Sequence, residues 1–277
     1  MPELPEVETM RRGVAAVVGR TIARFSRAPC PHRPIVVRPR IDAMSRRLVG
    51  RRVDSVERAG KRVVLLLDSG DRWVYEPRMT GLVLLADPPD QSHLRLRMEF
   101  DGSPDLQLLI WDRRGLSTAR LLAESEFADE LGPDRLGPDA LSVPPNQLAT
   151  RLGNSSRAIK VALLDQRSLA GIGNLYASEI LHAARVDPRK ACCDLDTAQW
   201  SRLHRAMLHI LEEAIRYEGS TLSDGTYRNA LNRAGSYQNH HRVYDRAGQS
   251  CLRCAAGVVQ RIVQAQRSTF FCPVCQT

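Results

Sequence analysis

Two pairs of cysteines near the C-terminus constrain this chain more than any other feature. Cys251-x-x-Cys254 and Cys272-x-x-Cys275 are separated by residues 255–271, and two such knuckles at that distance read as one tetrahedral zinc site. Four thiolates leave no position open for water, so the spacing predicts a structural ion, one per chain, pinning the intervening residues as a β-hairpin. Disulfides are the competing use of these thiols. The start of the chain, MPELPEVETM, argues against them, because it is acidic and Pro-rich and lacks the basic flank and apolar stretch of a secretory signal. No apolar run approaches the roughly 20 residues that span a bilayer, so a soluble cytoplasmic protein with no membrane partner is expected. Cys30, Cys192 and Cys193 form no ligand set.

The charge balance points to a polyanionic partner. Lys and Arg number 40 against 31 Asp and Glu, a net +9, and cations that neutralise phosphates release counterions. The excess is concentrated: from Thr226 to Thr277 seven arginines accompany a single acid, Asp245. That tail, with Arg261 and Arg267 inside the expected hairpin, is the first candidate for a nucleic-acid surface. Lysine is confined to Lys61, Lys160 and Lys190. This draws attention to those three positions, because Arg cannot act as a compact point charge or give up its proton.

The pattern along the chain is sheet, then helices, then the metal module. A helix is expected over 7–18, ended by Gly19. Strand character follows at 21–27, 53–57, 63–68, 73–76, 94–100 and 106–111, punctuated by Gly, Pro and Asp. This spacing predicts an antiparallel sandwich or barrel of about 130 residues. Beyond the Pro/Gly-rich stretch that begins at Leu131, apolar residues recur at three and four. Trp200, Leu203, Met207, Ile210, Leu211 and Ala214 form such a stripe within an expected helix over 197–217. An α+β multidomain chain results, with boundaries expected at 1–131, 132–224 and 225–277.

Three motifs carry a resemblance. Pro2-Glu3-Leu4-Pro5-Glu6-Val7-Glu8-Thr9 follows the initiator Met. Gly171-Ile-Gly-Asn-Leu-Tyr-Ala-Ser-Glu179 opens a helix, and Gln266-Arg-Ser-Thr-Phe-Phe-Cys272 enters the last knuckle. Ala59-Gly-Lys61, Arg135-Leu-Gly-Pro-Asp-Ala-Leu141 and Ala158-Ile-Lys160 agree more weakly. In this order, across essentially the whole chain, they resemble the formamidopyrimidine-DNA glycosylases. The resemblance implies an N-terminal β-sandwich with flanking helices, a helix–two-turn–helix domain and a C-terminal zinc-finger hairpin. It implies base excision with strand nicking by β,δ-elimination, on double-stranded DNA carrying oxidised or ring-opened purines or abasic sites, by a monomer.

The roles carried over are specific. Removal of Met1 would expose Pro2 as a secondary amine, and an α-amino group titrating near 7.7–8.0 is partly neutral and nucleophilic at cellular pH. Glu3 matches the catalytic acid and Glu6 a supporting position, although carboxylates in the first turn of a helix are also ordinary helix chemistry. Lys61 matches a lysine of the β-elimination step, with phosphate clamping an equally sensible use. Arg267 matches the arginine of the second elimination, where stabilising a phosphate suits an always-charged guanidinium. DNA contacts fall on Asn174, whose bland alternative is a helix N-cap, and on Lys160. Gln91, His93, Ser156 and Arg157 match further contacts, while Met79, Arg114 and Leu116 match the residues that fill the gap left by a flipped base.

The match departs at three places. Glu76 stands where the family usually has a histidine near phosphate, and Leu116 stands where it has an aromatic wedge. Ser156 replaces a common lysine. Two other readings compete: a sister enzyme preferring oxidised pyrimidines, and a zinc-ribbon protein that binds damaged DNA without catalysis.

Overall fold

Runs of β-branched and aromatic residues that alternate in burial assemble into two sheets. The computed structural model describes residues 2–277, in two compact units. The first comprises residues up to Gly132 together with Tyr217–Gln238, and the second comprises Pro133–Arg216 with Asn239–Thr277.

In the first unit, helix α1 (Leu4–Gly13) precedes β1 (Ile22–Arg27), β2 (Val36–Arg38) and α2 (Ile41–Leu48). Next come β3 (Val53–Ala59), β4 (Arg62–Leu67), β5 (Arg72–Glu76) and β6 (Gly81–Leu84). Strands β7 (Leu94–Phe100), β8 (Ser103–Asp112) and β9 (Thr118–Leu122) lead to helix α3 (Glu124–Leu131). One sheet runs β1-β7-β8-β6 and the other β2-β9-β5-β4-β3. They form a sandwich whose core is filled from both inner faces: Phe25 of β1 meets Trp73 of β5 edge-on at 6.4 Å. Leu82, Leu96, Met98 and Leu108 share that core with Val63, Leu65 and Tyr75. Helix α1 packs on β3 and β4 of one sheet and on β6 of the other, sealing one edge with Val7, Met10 and Val14.

The pairing is antiparallel but for one place, where β2 runs parallel to β9. The strands β2, β6 and β9 and helix α2 add to the elements expected from the sequence. The helix expected over 7–18 is broken. It starts earlier, with Pro5 in its first turn where a missing N–H costs nothing, and ends at Gly13, with a separate 3-10 turn at Ala15–Val17. Gly13 is required where it stands, since a Cβ there would come within 2.5 Å of the Ala230 methyl. Ala230 belongs to the returning segment, which adds Tyr227 to the same core, and the Ala230 carbonyl accepts from the Leu85 N–H at 2.8 Å.

The second unit holds α4 (Pro145–Leu152), α5 (Ile159–Leu163), α6 (Asn174–Ala184) and α7 (Thr197–Arg216), then the hairpin β10 (Gln260–Gln264) and β11 (Arg267–Phe271). The whole apolar stripe read from the sequence of α7 is buried. Each large member contributes about 1.5–3 kcal/mol relative to exposure. Helix α7 packs on α4 and α6, and α6 also packs on β11, so the helices set the height of the hairpin. No helix among the described residues is long and apolar enough to cross a membrane.

Candidate active site and metal centre

Pro2 and Glu3 are both buried where the chain enters α1. Their placement depends on Glu6, one turn into the helix. Its Oε2 accepts the Glu3 N–H at 2.9 Å and its Oε1 accepts the Ser220 N–H at 2.8 Å. One buried carboxylate thus caps the helix start and fastens it to the returning segment. Gly219 makes room for that contact: its φ is +79°, and a Cβ would sit 2.8 Å from Glu6 Oε1. Tyr227 strengthens the junction by donating its hydroxyl to the Glu218 carbonyl at 2.9 Å. The helix-start reading of Glu6 therefore holds, and the same carboxylate also has a long-range role.

Lys61 is half-buried in the turn between β3 and β4, beside Gly60 with φ +57°. The turn is tied to α1 through a charged chain. Arg58 donates from Nη1 to the Gly60 carbonyl at 2.9 Å and from Nε to Glu8 at 3.1 Å. Glu8 also takes Arg11 at 2.8 Å and Arg12 at 2.7 Å. Burial alone would raise the Glu8 carboxyl; hydrogen bonds from Arg11 and Arg12 and the charges of Arg11 and Arg58 hold it down to about 2. Glu8 stood in the N-terminal motif without an assigned role, because its partner Arg58 is 50 residues away.

Met79, Arg114 and Leu116 lie on two loops of the same unit. Met79 and Arg114 are exposed and Leu116 is half-buried. The loop of Arg114 is preformed: Gly115 has φ +63°, and a Cβ there would meet the Arg33 carbonyl oxygen at 2.5 Å. Gln91 is exposed and His93 half-buried. His93 is fixed by Asp90 Oδ1, 2.8 Å from its Nδ1, and stacks on His32 with centroids 4.4 Å apart.

In the second unit Lys160 sits at 0% exposure. Its ammonium donates to Asn174 Oδ1 at 2.6 Å, to the Ser268 carbonyl at 3.0 Å and to Thr269 Oγ1 at 2.7 Å. An ammonium has three donors, and three acceptors meet them here. The expectation of a direct DNA contact at Lys160 does not fit this placement. The residue braces the backbone next to Arg267, which is exposed at the start of β11. Asn174 is not the N-cap of α6, which is Gly173. Asn174 Nδ2 donates one N–H to the Ser268 carbonyl at 2.9 Å, and the amide's second N–H is the one that can serve a phosphate. Ser156 and Arg157 are exposed in the loop before α5, with Arg157 3.1 Å from Asp165.

Glu179, at the end of the motif that opens α6, is wholly buried and accepts backbone N–H groups from Arg242, Val243 and Tyr244 at 2.9, 3.0 and 2.7 Å. It leads the chain into the cysteine module. The motif that ends at Glu179 marks the residue, but its partners lie 63 to 65 residues away and carry no signal in the sequence.

Cys251, Cys254, Cys272 and Cys275 bring their sulfurs within 4.8 Å of one another. The pairs Cys251–Cys275 and Cys254–Cys272 are 3.8 and 3.7 Å apart. A tetrahedron with Zn–S near 2.3 Å has edges of about 3.8 Å, so the donor set fits zinc in size and softness. His182 Nε2 lies 3.4 Å from Cys251 Sγ. Gly257 leaves space for the cluster, because any Cβ there would press on Cys272 Sγ.

Known proteins share this arrangement over the full chain. Residues 1–119 match the family model described as the formamidopyrimidine-DNA glycosylase N-terminal domain. Residues 131–226 match that of the H2TH domain of the same enzymes, and residues 248–277 match the zinc finger found in FPG and IleRS. The formamidopyrimidine-DNA glycosylase of Chloroflexus aurantiacus is 39% identical, covering 100% of this chain and 98% of its own length. The crystal structure of MutM (FPG) from Thermus thermophilus superposes with a TM-score of 0.84 at 36% identity, covering 99% of this chain and 98% of that one. A Lactococcus lactis FPG mutant in complex with Fapy-dG-containing DNA does so at 0.86 and 32%, covering 100% of both chains. With a full-length relative at this identity and three consecutive domain matches, the chain belongs to the formamidopyrimidine-DNA glycosylase family.

Proposed function

We propose that the chain removes oxidised and ring-opened purines from duplex DNA through the amine of Pro2 and then nicks the strand. The observation that carries this reading is the buried Pro2-Glu3 pair, with the Glu3 N–H held by Glu6. A nucleophile and an acid adjacent in the chain and immobilised at a helix start need little reorganisation to act together. Pro2 nitrogen attacks C1′, the bond to the base breaks, and the base departs with a proton supplied by Glu3. The amine proton is then lost and the C1′–O4′ bond opens, with O4′ taking a proton, to give an iminium. This acidifies the 2′ C–H, and loss of that proton expels the 3′ phosphate. A second elimination expels the 5′ phosphate.

Lys61, Asn174 and Arg267 serve phosphates in this scheme, while Met79, Arg114 and Leu116 fill the vacated stack. Zinc bound to Cys251, Cys254, Cys272 and Cys275 supplies a cross-link that stiffens the hairpin, leaving the chemistry to the side chains. The neighbours in the Lactococcus lactis complexes hold Fapy-dG and abasic-site DNA, which supports the same substrates here. Chromosomal DNA as substrate implies work in the bacterial cytoplasm. Incubation with abasic-site DNA and borohydride tests the reading: a reduced adduct is expected on residue 2. An adduct on Lys61, or none after Met1 is removed, overturns it.

A further inference from the structure

The outer face of the five-stranded sheet carries charge that the scheme above does not use. Val63, Leu65, Trp73, Tyr75, Ala119 and Leu121 point into the sandwich core, so their neighbours in β4, β5 and β9 point outward. At one end of that face Val64, Val74 and Leu122 are covered by Phe127 and Leu131, the latter two from α3. At the other end it opens into a cavity of about 340 Å³, lined in part by Arg38, Arg62, Glu76, Thr118, Arg120 and Glu130. The register brings them together: Glu76 lies opposite Thr118, and Arg120 lies opposite Arg38 across the parallel pair.

Two carboxylates do not satisfy these guanidinium groups. Glu76 pairs with Arg62 at 3.3 Å and with Arg78 at 3.2 Å, and Glu130 pairs with Arg120. Arg62, Arg78 and Arg120 therefore share two acids, and Arg38 adds a fourth guanidinium at an exposed place on the rim. Arg62 Nε is buried without a hydrogen-bond acceptor, because its approach to Glu76 is close but poorly aligned. Arg120 feels the crowding: burial first, then the charges of Arg62 and Arg38, disfavour its cationic form, with Glu76 opposing. A surface network built only for stability has no reason to collect like charges around an open cavity. A guanidinium cluster with an unused buried donor suits a tetrahedral oxyanion.

We propose that this cavity binds a backbone phosphate of the DNA strand. The inference rests on the reading of the chain as a DNA enzyme, and it extends the phosphate track from Lys61 to its neighbour Arg62 and across the sheet. Glu76 acts as an internal counter-ion that yields Arg62 and Arg78 when a phosphate arrives. On this view the acid at position 76 lowers affinity without removing the site. It also keeps the empty cluster from repelling itself.

Anisotropy titrations of a non-cleavable abasic-analogue duplex, from about 50 to 300 mM KCl, test this, since each phosphate contact adds roughly 0.9 to the salt slope. Arg38→Gln and Arg120→Gln are each expected to reduce the slope by about 1 and to weaken binding several-fold at low salt. Glu76→Gln is expected to tighten it. Arg38 is exposed, so its variant keeps the fold even if Arg120→Gln does not. Unchanged slopes in both arginine variants overturn the proposal while leaving the enzyme intact. Failure of the wild type to bind the duplex at all overturns the functional reading itself. A parallel titration with inorganic phosphate separates the sources: saturable binding of phosphate lost in Arg38→Gln, with the DNA slope unchanged, assigns the cavity to a free anion and overturns the DNA contact.

Discussion

Thr80 donates its hydroxyl to the buried Asp112 carboxylate at 2.5 Å, and through this bond the loop of Met79 is fastened to the loop of Arg114. The Arg114 N–H reaches Thr80 Oγ1 at 3.0 Å and Asp112 Oδ1 at 3.1 Å, and the Ser117 N–H reaches Asp112 Oδ2 at 2.8 Å. The residues expected to fill the vacated base stack therefore rest on one carboxylate. Asp112→Asn replaces an acceptor by a donor and leaves at least one of these groups unpaired, a cost of about 1–3 kcal/mol. Excision of well-paired 8-oxoguanine is expected to slow more than cleavage of abasic sites, which need no base extruded. Single-turnover rates on the two substrates check this, and equal slowing would separate the loops from extrusion.

The junction of Glu6 with Ser220 makes Gly219 a sensitive position. Gly219→Ala forces a side chain into φ +79° and against Glu6 Oε1. The strain and the disturbed carboxylate are expected to cost about 1–3 kcal/mol of stability. The rate of borohydride trapping at Pro2 should fall with it. Thermal unfolding and trapping rates measure both, and a stable variant with slow trapping would isolate the positioning role.

Glu8 sets an acid limit. Its carboxyl, about 2 in the fold against an ordinary 4.5, is stabilised as the anion. A depressed folded value means that the contribution is complete above the unfolded pKa and is lost as pH falls from about 4.5 towards 2. The linkage is on the order of 2–3 kcal/mol. Glu8→Gln is expected to be less stable at neutral pH and to show a shallower loss between pH 5 and pH 3. Denaturant midpoints across that range decide it.

Metal removal should act through the hairpin. Chelation, or Cys272→Ser, is expected to release one zinc per chain and to disorder residues 255–271, lowering duplex affinity through Arg267. Helix α7, stabilised by its own apolar face, should persist. Amide exchange combined with metal analysis distinguishes local loss from global unfolding, and intact affinity in the metal-free protein would refute a zinc-organised DNA surface.

Lys160 offers a contrast between bracing and contact. Lys160→Met fills the volume but strands Asn174 Oδ1 and Thr269 Oγ1 and leaves the Ser268 carbonyl to Asn174 Nδ2 alone, which is expected to cost about 2–4 kcal/mol. Affinity should fall while the salt slope stays within error of wild type, since no phosphate contact is lost. A slope reduced by about 1 would restore the direct contact.

What the linear sequence determined is local chemistry and local period. The two knuckles could be read as a metal site because ligand spacing is set by the reach of a short chain around one ion. The stripe of α7 and the strand β7 were legible because each buries one face, which prints a period of 3.6 or 2 into the residues. Pro2 is named as the proposed nucleophile on the resemblance of the motif Pro2–Thr9, not on its local chemistry. Tertiary structure alone decided the rest. Lys160 looked like a surface cation until the packing of α5, α6 and β11 enclosed it among three acceptors 14, 108 and 109 residues away. Glu6 reads correctly as a helix-start acid, but its second role appeared only when the segment 217–238 returned to meet it, and Glu76 looked like an isolated departure until the fold set Arg62 and Arg78 against it. A buried charge is judged by its partners, and these come from elements distant in sequence, with no periodicity to announce them.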